Sequence, residues 1–153
     1  MRHLELKVPP VAMGLLLGVG MWLAAHFFPT LRYSFPFGRT IALVLTLGGI
    51  LVAILGVISF RRARTTVNPL DPSASTTLVI AGIYRLTRNP MYLGILLVLL
   101  GWAVHLGHLL AFLLAMALIP LMNRLQIIPE ERALTAKFGP AFAAYLAQVR
   151  RWL

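Results

Sequence analysis

The stretch GIYRLTRNPMYLG, residues 82–94, places polar and ionisable side chains directly before a long apolar run. Tyr84, Arg85, Arg88 and Asn89 stand close together along the chain. Such side chains at the edge of a bilayer cost free energy unless they pair with one another or bind a ligand. The cluster therefore predicts a binding site at a membrane surface.

The same stretch contains a helix start. Asn89 is a favoured N-cap residue, and Pro90 suits the first helical turn because its missing N–H is not needed there. The free N–H groups of such an end favour an anionic group such as a carboxylate or phosphate. Tyr92 could add a stacking ring and Gly94 a close backbone approach. An ordinary capped transmembrane helix has the same pattern, and spacing does not separate the two interpretations.

A second cluster lies near the C-terminus. Glu130 and Glu131 follow Pro129, which predicts another first helical turn whose positive end suits both acids. We expect this cluster to lie on the same membrane face as the first. Two clusters that converge there make a catalytic site more plausible than either cluster alone.

The elements that position these residues are membrane helices. Of the 153 residues, 59% are hydrophobic and only 12% are charged, about half the charged fraction of a typical soluble domain. The length predicts a single domain, 1–153. Four apolar runs span about residues 8–28, 40–60, 91–104 and 109–122. The first run exceeds the 7–15 apolar residues of a signal peptide, so we expect it to remain as a span.

The last two runs predict a tight hairpin. A single helix over residues 91–122 would be about 48 Å long, too long for a hydrocarbon core of about 30 Å, so we expect a turn at Gly107. Beyond it, Gly139 and Pro140 predict a helix stop and restart, followed by an amphipathic helix. The predicted fold is an all-α integral membrane protein with four transmembrane helices, a cytoplasmic loop and C-terminal amphipathic helices.

The charges predict an orientation. Twelve of the 14 Lys and Arg residues lie in the N-terminus, the 61–90 loop or the tail after residue 122. By the positive-inside rule both termini and the loop are cytoplasmic. The net charge of +10 then faces anionic lipid, and we expect no nucleic-acid partner. The chain has no cysteine, which excludes disulfides and a cysteine nucleophile.

The 61–90 loop is long for so small a membrane protein, and such loops tend to be functional or disordered. We expect it to turn at Pro69, Pro72 and Gly82. The apolar patch at residues 78–80 predicts a return of the loop towards the membrane, which argues against disorder.

These motifs resemble a known family. The signature of the isoprenylcysteine carboxyl methyltransferase family, which includes phospholipid N-methyltransferases and short bacterial members, is similar to Leu78-Val79, Gly82-x-Tyr84 and Arg88-Asn89-Pro90-x-Tyr92-x-Gly94. The second half also resembles the family, in Glu130-Glu131, Leu134, Phe138-Gly139, Tyr145 and a closing Arg pair. The resemblance covers about residues 65–151. It makes 61–153 the cofactor-binding core, whereas 1–60 matches only as two membrane helices.

The resemblance implies S-adenosylmethionine-dependent methyl transfer to a lipophilic acceptor, in a multi-pass protein of a bacterial inner membrane with membrane lipid as partner and no metal. Glu131 would hold the cofactor's ammonium group. The other cofactor-binding residues implied are Thr77, Leu78, Val79 and Tyr84 for the adenosyl part, and Arg88, Asn89, Pro90, Met91 and Tyr92 around the methionine part.

Two departures from the family pattern concern the acceptor. The eukaryotic carboxyl methyltransferases have His at the position of Asn89 and Arg at the position of Ile127. Arg124 is the nearest replacement for that guanidinium, which an acceptor carboxylate would need. An amine or thiol acceptor would need a base instead, and Glu130 is available. The candidate catalytic residues are Glu130, Glu131 and Arg124.

Two other functions stay open. Membrane steroid and sterol reductases have a similar tail and use NADPH, whose 2′-phosphate would require basic residues such as Arg61, Arg62, Arg64, Arg85 and Arg88. A non-catalytic four-helix membrane protein is the third possibility. Transport is disfavoured because no ionisable residue lies near the middle of a span. A metal site at His105 and His108 lacks a third ligand.

Overall fold

The computed structural model describes residues 5–34, 36–65, 70–71 and 75–153. Five α-helices follow one another: α1 Pro10–Phe27, α2 Gly38–Arg62, α3 Pro90–Leu106, α4 Leu109–Met122 and α5 Ile128–Gln148. Short 3-10 turns cover Pro29–Leu31 and Gly82–Arg85, and a π-helical turn covers Asn123–Ile127. The described residues form no strand beyond one isolated bridge between Arg32 and His108. The all-α prediction is confirmed.

Three or four of these helices suit a membrane. Helix α1, helix α2 and the continuous helical stretch Leu109–Gln148 are each long and apolar enough to cross one. Helix α3 is equally apolar but shorter, with 17 residues, or about 25 Å. The all-α integral membrane class is therefore supported, with α3 as the helix that decides between three and four spans.

The predicted hairpin between α3 and α4 is present. Gly107 adopts a left-handed conformation with φ of 54°, which costs glycine no Cβ clash. Its carbonyl accepts a hydrogen bond from the Tyr33 N–H at 2.8 Å. The buried ring of His108 lies 2.8 Å from the Phe28 carbonyl through Nε2. The α1–α2 connection thus covers the tip of the hairpin.

Helix α3 is the centre of the bundle. It packs closely along α2 and also against α1 and α4. Gly49 and Gly94 make the closest approach of α2 to α3 possible, because a Cβ on Gly94 would lie 2.6 Å from the Gly49 carbonyl oxygen. Small residues of this kind let membrane helices approach to backbone contact. The start of α3 is therefore held firmly in place.

Helix α5 begins as predicted, with Pro129, Glu130 and Glu131 in its first turn, but it continues directly from α4. Helices α4 and α5 run on through the π-helical turn at Asn123–Ile127, so Glu130 and Glu131 do not lie at a free helix end. Pro129 has no N–H to bond the Leu125 carbonyl. That carbonyl instead accepts the Leu6 N–H at 2.9 Å. The wider turn and this outside donor let the helix continue past the proline.

Downstream, the predicted stop and restart is present. Gly139 leaves the helical conformation, with φ of 50° and ψ of −124°, directly before Pro140. The following turns bury Phe142 and Tyr145, as expected for an amphipathic helix. Gly82 also turns the loop, with φ of 63°, and Val79 of the apolar patch is buried. The turns predicted at Pro69 and Pro72 lie outside the described residues.

Candidate active site

A cavity lies where α3 begins, between the 75–92 segment and α5. Its empty space, mouth included, is about 670 Å³, but the part that a water molecule can enter is only about 60 Å³. The surrounding side chains are therefore drawn close together, and a larger ligand requires some of them to move.

Ten of the twelve predicted site residues line this cavity. They are Thr77, Leu78, Val79, Tyr84, Arg88, Asn89, Met91, Tyr92, Glu130 and Glu131. The two that do not are Pro90, which is buried in the first turn of α3, and Arg124, which is exposed outside the lining. The two predicted clusters thus converge, and Arg124 is not brought to them.

Asn89 occupies the predicted N-cap position of α3 but does not cap it with its side chain. Its Nδ2 donates to the Arg151 carbonyl at 2.8 Å. Thr87 donates through Oγ1 to the same carbonyl at 3.3 Å and accepts the Asn89 N–H at 3.2 Å. The Arg88 N–H donates to the Arg150 carbonyl at 3.0 Å. These bonds tie the start of α3 to the C-terminal segment.

Three tyrosines line the cavity: Tyr84, Tyr92 and Tyr145. The Tyr145 hydroxyl donates to the Tyr84 carbonyl at 2.7 Å, and the Tyr84 ring meets the Phe60 ring edge-on at 5.4 Å between centroids. Burial raises the pKa of the Tyr84 phenol, so this side chain stays protonated and neutral. The Tyr92 hydroxyl donates to Glu130 Oε2 at 3.0 Å.

The neighbouring carboxylates have contrasting partners. Glu131 binds Arg88 at 3.2 Å and accepts two hydrogen bonds from Arg151, at 3.1 Å from Nε and 2.6 Å from Nη2. The hydrogen bond to Glu131 raises the pKa of the Arg151 guanidinium. Glu130 is bound by Tyr92 and, among the described residues, by no cation. One acid is neutralised, and the other is available for proton transfer.

Several lining residues were not predicted as site residues. They are Phe60, Ser75, Ile127, Leu134, Phe142 and Tyr145. Leu134 and Tyr145 were part of the family resemblance, and the apolar ones have no signal of their own in the sequence. Arg151 was likewise part of the closing Arg pair, but no pattern indicated that it reaches Glu131, which lies 20 residues earlier in the chain.

Gln126 is the other missed residue. Its side chain is fully buried in the π-helical turn and hydrogen-bonds with Tyr92. A polar residue between the apolar Leu125 and Ile127 is a signal that could have identified it. Tyr92 is thus held by Gln126 as well as by Glu130.

The donors and acceptors of the cavity suit a zwitterionic ligand with an aromatic part. The buried Arg88 Nε has no hydrogen-bond acceptor among the described residues and can bind an anion. Glu131 can bind a cation. Of the five arginines considered for a 2′-phosphate, only Arg88 lines the cavity. The described residues contain no group of three His, Asp or Glu placed to hold a metal ion.

Comparison with known proteins adds a family. A family model described as phospholipid methyltransferase matches residues 37–141, which include most of the cavity lining. An uncharacterised protein of Haemophilus influenzae is 46% identical over 63 residues, which are the whole of that protein and 41% of this chain. No solved structure matches the chain.

Proposed function

We propose, since the chain belongs to the phospholipid methyltransferase family, that it transfers a methyl group from S-adenosylmethionine to the headgroup amine of a membrane phospholipid. The observation that carries this proposal is the pair of unequal carboxylates. Glu131 is neutralised by two arginines, whereas Glu130 faces the same cavity and, within the described part of the chain, is bound by a tyrosine hydroxyl and by no cation.

The residues present fit the cofactor. Arg88 offers a buried N–H that no acceptor among the described residues binds, which suits the carboxylate of the methionine part. Glu131 suits its ammonium group. The rings of Tyr84 and Tyr92 offer faces that can steady a cationic sulfonium, and Thr77, Leu78 and Val79 form an apolar side for the adenosine. When bound, S-adenosylmethionine supplies an electrophilic methyl group on sulfur.

Binding requires Arg151 to give way. Its side chain is about one-third exposed, at 34%, whereas the Glu131 side chain is 18% exposed. Arg151 can therefore leave Glu131 for solvent more readily than Arg88, whose side chain is only 13% exposed. The departure of Arg151 frees Glu131 and enlarges the narrow cavity.

Glu130 then acts on the acceptor. A lipid ammonium group has no lone pair and must lose one proton before its nitrogen can attack the methyl carbon. The Glu130 carboxylate accepts that proton while Tyr92 holds the carboxylate through its O–H group. The N–C bond forms as the C–S bond breaks. Alignment of the two reactants and exclusion of water supply the remaining rate.

The cavity is less well suited to a carboxylate acceptor. Such an acceptor needs a guanidinium of its own, but Arg88 binds Glu131 and Arg124 lies outside the cavity, while Arg151 moves out to solvent when the cofactor binds. An amine acceptor needs only the base that the cavity offers. The amine is therefore the acceptor class that the cavity favours.

The test has two stages. Calorimetric titration of the detergent-purified protein with S-adenosylhomocysteine, with NADPH as control, should give saturable binding of the first alone. Transfer of radiolabelled methyl from S-adenosylmethionine is then compared among vesicles containing phosphatidylethanolamine, a prenylated carboxylate or a lipid thiol. Labelling of phosphatidylethanolamine alone is expected.

Each failure is informative. Binding of NADPH alone would replace the proposal with the reductase function. Binding of neither by folded protein would leave a non-catalytic member of the family. Labelling of the carboxylate in place of the amine would agree with S-adenosylmethionine as the cofactor but would contradict the role of Glu130 as the base.

A further inference from the structure

A second, larger concavity lies away from the cavity. It is a groove of about 1080 Å³ between α1 and α2, with α3 as its floor. Both walls pack against α3 but make few contacts with each other. The groove is therefore open along its side, in the part of the chain that crosses the membrane.

The rims of this groove have the character of a lipid-facing surface. They carry large apolar side chains, with Leu15 67%, Val19 56%, Leu43 58% and Ile50 46% exposed. Helix association in membranes depends on small residues that allow close approach. The small residues of this groove already allow α3 to pack against α2 of the same chain, since a Cβ on Gly94 would lie 2.6 Å from the backbone of α2. The groove suits flexible acyl chains better than another helix.

One end of the groove is polar and positive. Arg39 and His105 line it there, beside Trp22. Arg39 is exposed and has no ion pair among the described residues. The acids of the whole chain all lie in other segments: Glu5, Asp71, Glu130 and Glu131. An anion that neutralises Arg39 must come from outside the polypeptide.

This end of the groove is remote from the cavity at the start of α3 where we propose methyl transfer (the methyl-transfer cavity). His105 follows Tyr92 by 13 residues on the same helix, α3, a distance of about 20 Å along the axis. A headgroup bound at Arg39 therefore cannot reach Glu130. The groove is a separate site and does not depend on the proposed function.

We propose that this groove binds an anionic glycerophospholipid. An acyl chain lies between α1 and α2 over the small residues of α3, and the phosphate group rests on the Arg39 guanidinium beside the His105 ring. That ring is stacked on Trp102 at 5.3 Å between centroids, so it is held in place at the groove end. The apolar length of the groove matches the acyl chains of a phospholipid, and its single positive end matches the phosphate group.

Native mass spectrometry of the full chain tests the proposal. The protein is titrated with dioleoyl phosphatidylglycerol, and with dioleoylglycerol as a lipid that has the same chains and no charge. Arg39→Gln removes the charge at the groove end. Arg32→Gln is the matched control, because Arg32 lies in the α1–α2 connection shortly before Arg39, but donates to the Ala25 carbonyl and does not line the groove. Val19→Trp fills the groove from an exposed rim.

We expect one phosphatidylglycerol to bind saturably to the wild type. Arg39→Gln should weaken its binding about tenfold, the loss of one charge-assisted contact, and Arg32→Gln should leave it unchanged. Val19→Trp should reduce retention of both lipids. All three variants should retain the helical circular dichroism of the wild type, which shows that they are folded.

Three results would overturn the proposal. Equal phosphatidylglycerol binding by Arg39→Gln and wild type would remove the headgroup contact. Full retention of both lipids by Val19→Trp would place the lipid elsewhere. A dimer that carries no lipid and that Val19→Trp dissociates would make a second copy of the chain the occupant.

Discussion

At the scale of single residues, the two adjacent acids are distinguished by their partners and not by their position in the sequence. The family resemblance identified both as site residues, and both line the cavity. It also assigned the cofactor's ammonium group to Glu131, but it could not show which arginines pair with Glu131, because they lie 43 and 20 residues away in the chain. Asn89 illustrates the same limit: its capping position was predictable, but the bond to Arg151 is tertiary.

The first prediction concerns these acids. Glu130→Gln should lower kcat by about 100-fold or more, the usual contribution of a general base, with little change in the Kd for S-adenosylhomocysteine. Glu131→Gln should raise that Kd by about tenfold or more through loss of a charge-assisted contact. Calorimetry and methyl-transfer assays on the same preparations measure both. If both variants lose kcat alone, or both lose cofactor affinity alone, the division of roles is wrong.

A second prediction concerns Arg151. Arg151→Ala removes the competitor for Glu131 and one positive charge from a cavity that must accept a cationic cofactor. We expect S-adenosylmethionine to bind about two- to fivefold more tightly, the range for a partly exposed ion pair. S-adenosylhomocysteine, which lacks the sulfonium charge, should gain less. Weaker binding of both would mean that Arg151 holds the cofactor itself.

At the scale of elements, the sequence predicted the helices and the first turn of α5, but not the continuous link between α4 and α5. The hairpin at Gly107 followed from length and glycine alone. The free helix end expected at Pro129 is absent because α4 continues into α5, where the Leu6 N–H, near the other end of the chain, donates to the Leu125 carbonyl that Pro129 leaves without a donor. A local pattern contains no information about such a partner.

The third prediction concerns the α2–α3 contact that positions the site. Gly94→Ala should destabilise the protein by about 1–3 kcal/mol, the cost of an overpacked contact, because its Cβ would lie 2.6 Å from the Gly49 carbonyl oxygen. Gly48→Ala is the matched control on α2, where an added Cβ meets nothing within 4 Å. Unfolding of both variants in detergent gives the comparison. Equal stability would show that the helices shift apart freely.

At the scale of the whole molecule, the two ends of α3 have different functions in our account. One end meets the 75–92 segment and α5 at the methyl-transfer cavity. The other end, near His105, closes the proposed lipid groove. If α3 crosses the membrane, the two sites face opposite sides. The orientation of the protein then decides which leaflet supplies the acceptor.

The charge distribution predicts that orientation. With twelve of 14 Lys and Arg residues on the cavity side, the positive-inside rule places the cavity in the cytoplasm. The chain has no cysteine, so single cysteines can be labelled without background. Ser34→Cys, exposed in the α1–α2 connection, should react with an impermeant maleimide in intact cells. Ala136→Cys, exposed on α5, should react only after permeabilisation. The reverse pattern would put the cavity, and with it the methyl acceptor, on the outer face of the membrane. Cytoplasmic S-adenosylmethionine does not reach that face, so this result would contradict the proposed reaction as well as the orientation.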